Sequence, residues 1–241
     1  SDEAAALIER AFRRERFWAG RYEMAKALGA CKNDAAFAAL GRCLKIADHR
    51  SRRGVAEALA GYPRPEAVRI LLDLARRDPA YRVRTAALRG LGALKARAGL
   101  PVALKALRED SWAELIRRAG VAALAGIEGL RALPRLKGLS SSPHPLPVRL
   151  EAIDWLGRLG RGEQGVFEHL EAMLEGTSLR EANRRLVFTL VGALESLKDD
   201  RSVAALRRLA AETRHGWVKM VVEDAVARIR EGLDPEPEKK A

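Results

Sequence analysis

The stretch DPAYRVRTAALRGLGAL at residues 78–94 decides the fold, because its pattern recurs along the chain. It combines a turn, an apolar residue beside an arginine, a run of small residues and an end rich in leucine and glycine. Similar stretches lie at 17–29, 48–62, 110–127 and 147–160, with weaker copies around 183–194 and 218–229. Repetition at a fixed period is typical of proteins in which each unit packs only on its neighbours.

The basic residue of each copy defines the period. These residues are Arg21, Arg52, Arg84, Arg117, Arg149, Arg184 and Lys219, and they are 31 to 35 residues apart. Seven residues after each of them comes an apolar residue, in the series Leu28, Leu59, Leu91, Leu124, Leu156, Val191 and Val226. We expect this series to fill the space between successive layers.

A second amphipathic segment separates neighbouring copies. At 66–77, for example, Val68, Leu71, Leu72 and Ala75 follow the helical period of three and four residues, and no period-two alternation occurs in the chain. The sequence therefore predicts an all-α fold, a right-handed α-solenoid (superhelix) of about seven helical hairpins. A single domain is expected over 1–231.

Three local features complete the structural prediction. Gly61, Gly92 and Gly160 are expected to end helices. The stretch SSSPHPLP at 140–147 is expected to be extended, because prolines disfavour helix there. The polar, proline-bearing segment 232–241 is expected to be a disordered tail.

Charge and composition restrict the partners. The 241 residues carry a net charge of +12, and residues 1–150 alone hold 29 Lys/Arg against 15 Asp/Glu. An anionic partner is therefore permitted. No apolar run reaches the roughly 18 residues of a membrane helix, so no membrane partner is expected. The chain begins at Ser1 without a signal-peptide pattern or an initiator Met, which favours a cytoplasmic location and a piece of a longer protein.

Residues that could perform catalysis or bind a metal are missing from the sequence. It contains no G-x-S-x-G motif, no glycine-rich phosphate loop, and no pair of its four histidines at metal-ligand spacing. The two cysteines, Cys31 and Cys43, are too few for a zinc site. We expect no catalytic residue, no metal site, no cofactor and no enzymatic activity.

The paired helices with turns like D-x-x-x-V-R resemble HEAT repeats of the short kind found in phycobilisome lyases. Over residues 15–127 the order of the copies also resembles the C-terminal helical domain of M1-family zinc aminopeptidases. Trp18, Tyr81 and the turn Asp110-Ser111-Trp112 carry this second likeness. It implies a non-catalytic domain that caps the active-site cleft of such an enzyme, and none of the family's zinc ligands can be placed on this sequence.

The candidate binding residues are Arg52, Arg84, Arg117, Arg149 and Trp112. In a structural interpretation the arginines form ion pairs or carbonyl caps between layers, with Asp78 and Asp110 among the partners. In a functional interpretation they form a basic stripe on the concave face, with Trp112 at its edge, that holds carboxylates or phosphates. The partner would be a protein or peptide. Two alternatives are a nucleic acid bound by a basic concave face and the role of a free-standing protein scaffold.

Overall fold

The computed structural model describes residues 1–176 and 184–233, with side chains described as far as residue 231. In these residues fourteen α-helices form seven successive hairpins, and there is no strand. This confirms the predicted all-α solenoid of hairpins. The helices are α1 (Asp2–Arg14), α2 (Trp18–Cys31), α3 (Asp34–Cys43), α4 (His49–Leu59), α5 (Pro65–Arg77), α6 (Tyr81–Ala93), α7 (Leu100–Ala106), α8 (Leu115–Glu128), α9 (Leu133–Ser140), α10 (Leu146–Leu159), α11 (Val166–Glu175), α12 (Arg184–Leu197), α13 (Asp200–Glu212) and α14 (Gly216–Leu233).

The chain divides into two compact units, Ser1–Gly129 and Leu130–Ala241. Unit 1 contains the hairpins from α1 to α8, and unit 2 contains those from α9 to α14. The single domain over 1–231 stays a prediction. Helix α14 includes the first two residues of the segment expected to be a disordered tail, and the rest of that segment, 234–241, lies outside the described residues.

In unit 1 the second helices of the hairpins (α2, α4, α6 and α8) pack side by side, and each first helix packs on its own second helix. The second helices run parallel and in register, since Gly54 lies against Tyr22, Gly90 against Ala60 and Gly92 against Ala123, each about one repeat away. The four leucines of the predicted series in this unit, Leu28, Leu59, Leu91 and Leu124, are completely buried. In unit 2, Leu156, Val191 and Val226 are also buried, so the whole interlayer series is confirmed.

Glycine allows α6 and α8 to approach each other closely. A Cβ atom added to Gly126 would lie 2.5 Å from the carbonyl oxygen of Gly92, and one added to Gly92 would lie 2.9 Å from the Cα of Ala123. Gly92 is the last residue but one of α6, so the helix ends within one residue of the predicted position. Its absent side chain is needed for helix packing and not for a turn.

The proline-rich stretch 140–147 is not extended throughout, which corrects the prediction made for it. Ser140 is the last residue of α9, residues 141–144 form a turn, and α10 begins at Leu146. Pro147 is tolerated in the first turn of α10 because the backbone N–H that proline lacks has no helical partner at that position.

Candidate protein-binding surface

The predicted basic residues cap the helix that precedes them. The Nε–H groups of Arg21, Arg84 and Arg149 each donate to a carbonyl oxygen nine residues earlier, those of Phe12, Ala75 and Ser140, at 3.3, 3.2 and 3.1 Å. Each acceptor lies in the last turn of the first helix of the same hairpin. A cation at this position satisfies a carbonyl left without a helical partner and is favoured by the helix dipole. Arg52 differs, because its Nη1 donates to the carbonyl of Ile46 at 3.0 Å, six residues earlier and in the turn after α3.

Two of these arginines also connect successive hairpins of unit 1. Arg52 donates to both carboxylate oxygens of Asp78, at 2.9 and 3.1 Å. Arg84 forms a two-point contact with Glu109, at 2.7 Å for the Nη2–Oε2 pair, and it holds the pKa of Glu109 below its ordinary value. The Arg52 and Asp78 side chains are only 13% and 4% exposed, so solvent screens this pair weakly.

Arg117, the last of these arginines in unit 1, pairs with acidic residues of the turn just before its own helix, α8. It donates to Glu114 at 2.8 Å and forms an ion pair with Asp110. We call Arg21, Arg52, Arg84 and Arg117 the inner arginine ladder. Their carbonyl and carboxylate contacts favour the structural interpretation, and a ligand would have to compete with them. A ligand-binding role for Arg52, Arg84 and Arg117 stays a prediction, as it does for Arg149, which lies in unit 2.

Trp112, the remaining predicted binding residue, is strongly exposed, with 69% of its surface accessible. It begins a short 3-10 turn, Trp112–Glu114, immediately before α8. The next residue, Ala113, has a positive φ of 52°, so the backbone bends between the turn and the helix. This position leaves the indole outside the core at the N-terminal end of α8.

A second row of residues runs along the same end of unit 1, and Trp112 is its only member that the sequence analysis named as a binding residue. Trp18, His49 and Tyr81 are the first residues of α2, α4 and α6, each three positions before an arginine of the inner ladder. Arg50 and Arg82 follow His49 and Tyr81 in the sequence. We call this set the aromatic–arginine row; its members are Phe17, Trp18, His49, Arg50, Tyr81, Arg82 and Trp112.

Arginine–aromatic stacking holds parts of the row in place. The guanidinium carbon of Arg50, on α4, lies 5.2 Å from the ring centre of Trp18, on α2, and that of Arg82 lies 5.9 Å from the ring centre of Tyr81. Stacking uses the flat face of a guanidinium and leaves the N–H groups at its edge able to donate. Neither Arg50 nor Arg82 forms an ion pair with any residue that the structure describes.

Farther along α2 and α4, side chains of the two helices contact each other. The guanidinium carbon of Arg53 lies 5.2 Å from the ring centre of Tyr22, whose hydroxyl donates to Glu57. The Glu57 carboxylate raises the pKa of Tyr22 above its ordinary value. The tyrosine ring also lies flat over Gly54, where an added Cβ would come within 2.7 Å of the ring. These residues therefore stabilise the layer.

Unit 2 carries an exposed aromatic patch of its own. Phe188 and Trp217 stack with their ring centres 5.4 Å apart, and the guanidinium carbon of Arg184 lies 5.0 Å from the ring centre of Trp217. Phe188 is 42% exposed and the nearby Met220 is 59% exposed. The sequence prediction named none of these residues as a binding site.

The part of the chain that the structure describes offers neither a metal site nor a membrane-spanning helix. It contains no group of three or more His, Cys, Asp or Glu residues arranged to hold a metal ion. None of its helices combines the length and the apolar character required to cross a bilayer.

Comparison with known proteins agrees with this fold. The chain is similar to the CpcE–CpcF complex of phycocyanin lyase from Nostoc sp. PCC7120, with a TM-score of 0.57 and 21% identity over 93% of this chain and 94% of that chain. It also matches human deoxyhypusine hydroxylase in complex with glycerol, with a TM-score of 0.44 and 21% identity over 94% of this chain and 84% of that chain. No curated protein matches the sequence.

The family profile for HEAT repeats matches residues 4–92 and 69–154. The matched region covers more than half of the 241 residues. Within it, the structure forms the stacked hairpins that such repeats require. The chain therefore belongs to the HEAT-repeat family.

Proposed function

We propose that this chain is a HEAT-repeat scaffold that binds a partner protein or peptide through unit 1 and catalyses no reaction of its own. The observation that carries this proposal is the aromatic–arginine row, in which Phe17 is 62%, Tyr81 39% and Trp112 69% exposed. Tryptophan, tyrosine and arginine are the residue types that contribute most to protein-binding energy. Exposed aromatic groups concentrated along one end of a layer are typical of an interaction surface.

The similar solved structure supports a protein partner. It is a complex of CpcE with CpcF, so a chain of this fold binds another protein there. The inner arginine ladder supports the same choice, because three of its four arginines form ion pairs with acidic residues of unit 1 itself. The basic charge counted from the sequence is therefore only partly available to a polyanion such as a nucleic acid.

A peptide library displayed on phage tests the proposal. Peptides selected on the immobilised chain would be synthesised, and their dissociation constants measured by fluorescence anisotropy. We expect the Tyr81→Ala/Trp112→Ala variant to bind them about ten-fold more weakly or worse, since removal of a central aromatic residue usually has such an effect. Leu7→Ala serves as the matched control, because Leu7 is 60% exposed but lies outside the row, on α1.

Two results would contradict the proposal. One is that the library yields no binding peptide. The other is that the selected peptides bind the Tyr81→Ala/Trp112→Ala variant as tightly as the unchanged chain. Tight binding of a duplex oligonucleotide that falls steeply with salt would favour the nucleic-acid alternative instead.

The resemblance to M1 aminopeptidases suggests a more specific version of the proposal, in which the partner protein is identified. In that form the partner is a zinc aminopeptidase catalytic domain, and the scaffold covers the active-site cleft and limits which peptides enter. Titration of a purified M1 catalytic domain with this chain tests it. Slower cleavage of long peptides with unchanged cleavage of aminoacyl-anilides is the expected result, and no effect on either substrate would contradict it.

A further inference from the structure

We infer that the aromatic–arginine row binds an extended acidic segment with two carboxylates three residues apart and an apolar residue three positions outside each of them. The inference rests on the proposed function, since it specifies the chemistry of the partner bound at the same surface. It follows from the order of side chains along the row, from their charge and from the spacing of the helices.

Arg50 and Arg82 lie in the two middle layers of the row, and its outer layers carry only aromatic residues. The start of α2 contributes Phe17 and Trp18, α4 contributes His49 and Arg50, α6 contributes Tyr81 and Arg82, and the turn before α8 contributes Trp112. Because α2, α4, α6 and α8 pack side by side and in register, these groups follow one another across the layer. The order reads the same in both directions, so the row does not fix the direction of the bound segment.

The charge of this surface favours a carboxylate partner. Unit 1 holds 25 Lys/Arg against 15 Asp/Glu, a net charge of +10. The ladder arginines Arg52, Arg84 and Arg117 form ion pairs within the fold, whereas Arg50 and Arg82 form none with the residues that the structure describes. Their exposed guanidinium groups can bind carboxylates in the two-point geometry that arginine favours.

Helix spacing determines the distance between the two carboxylates. Neighbouring packed helices are about 8–10 Å apart. An extended peptide advances about 3.3 Å per residue, so every third residue advances by about 10 Å. Carboxylates at positions i and i+3 therefore match the spacing of α4 and α6, the helices that carry Arg50 and Arg82. Apolar side chains three residues outside them match the spacing to α2 on one side and to the turn before α8 on the other.

Fluorescence anisotropy with three labelled peptides tests the inference. The spaced peptide is Leu-Ser-Thr-Asp-Ser-Thr-Asp-Ser-Thr-Leu, the clustered peptide has the same composition with its two aspartates adjacent, and the neutral peptide has asparagine in place of aspartate. The Arg50→Gln/Arg82→Gln variant removes both cations of the row. The Arg76→Gln/Arg108→Gln variant makes the same charge change at exposed positions near the ends of the first helices α5 and α7.

We expect the spaced peptide to bind most tightly, and the Arg50→Gln/Arg82→Gln variant to weaken its binding by about ten-fold or more. The Arg76→Gln/Arg108→Gln variant should change it by less than about two-fold, because exposed charges outside the contact contribute little. Circular dichroism of both variants establishes that they remain folded.

Several outcomes would overturn the inference, and they bear differently on the proposed function. Equal binding of the spaced and clustered peptides, equal weakening by both double variants, or no binding of the spaced peptide at about 1 mM would refute it and leave the scaffold proposal standing. Tight binding of the neutral peptide that is lost in Trp112→Ala would have the same meaning. An oligonucleotide that binds more tightly than every peptide, and is released by Arg50→Gln/Arg82→Gln, would overturn both.

Discussion

Substitution of Gly126 by alanine tests the close packing of α6 on α8. The added Cβ would lie 2.5 Å from the Gly92 carbonyl oxygen, 2.7 Å from its carbon and 2.9 Å from its Cα. All three are backbone atoms, so relief requires α6 and α8 to move apart. Overpacking of this kind costs about 1–3 kcal/mol. Alanine regains up to about 1 kcal/mol through its higher helix propensity.

The expected net loss for Gly126→Ala is therefore about 1–2 kcal/mol in the free energy of unfolding. Gly41→Ala is the matched control, because Gly41 also lies inside a helix of unit 1 and an added Cβ there meets no atom within 4 Å. We expect that control to gain about 0.5–1 kcal/mol. Urea denaturation followed by circular dichroism measures both changes. Equal stabilities for the two variants would refute the claim that the backbones of α6 and α8 are in contact.

Three further perturbations test the interior. Leu91→Ala should lower the free energy of unfolding by about 2–5 kcal/mol, since Leu91 is completely buried between layers; a loss under about 1 kcal/mol would contradict its role. Asp78→Asn should cost about 2–3 kcal/mol because it leaves a mostly buried guanidinium without its partner, whereas Asp110→Asn, at an 89% exposed side chain, should change stability by less than about 1 kcal/mol. Glu9 bonds Arg42 and has a pKa lowered from 4.5 to about 2, so its contribution is complete above about pH 4.5 and is lost as the pH falls toward 2. Arg42 is half exposed, so we expect the stability gap between the unchanged chain and Glu9→Gln to be roughly 1 kcal/mol at pH 6 and smaller at pH 3, as urea titrations would measure.

The interlayer core was predictable from the sequence because the repeat fixes which positions must be equivalent. Once Leu91 is placed between layers, the residues one period away, such as Leu59 and Leu124, must occupy the same position in their own units. The carbonyl contacts of Arg21 and Arg84 were predictable for the same reason, and Asp78 was expected among the acidic partners of the arginines. The acidic partner of Arg84 was not, since Glu109 and Asp110 are adjacent in the sequence and only the turn geometry selects Glu109.

Apart from Trp112, the aromatic–arginine row was not predicted as a binding surface, for a different physical reason. Trp18, His49 and Tyr81 differ in residue type, so they do not stand out as a repeat even though they share one register. The availability of Arg50 also depends on tertiary contacts, because it stacks on Trp18, which is 32 residues away. The packing role of Gly92 was not predicted either, since glycine marks helix ends and close helix packing alike, and sequence alone does not separate them.

The indole N–H signals of the four tryptophans offer the most direct measurement of the central claim, that unit 1 binds its partner through the aromatic–arginine row. Trp18 and Trp112 lie in the row, whereas Trp155 and Trp217 lie in unit 2. In nitrogen–proton correlation spectra we expect the spaced acidic peptide to shift the Trp18 and Trp112 signals and leave the other two unchanged. Assignment requires one Trp→Phe variant for each signal. Shifts confined to Trp155 and Trp217, or shifts of the row signals that persist in Arg50→Gln/Arg82→Gln, would contradict the claim.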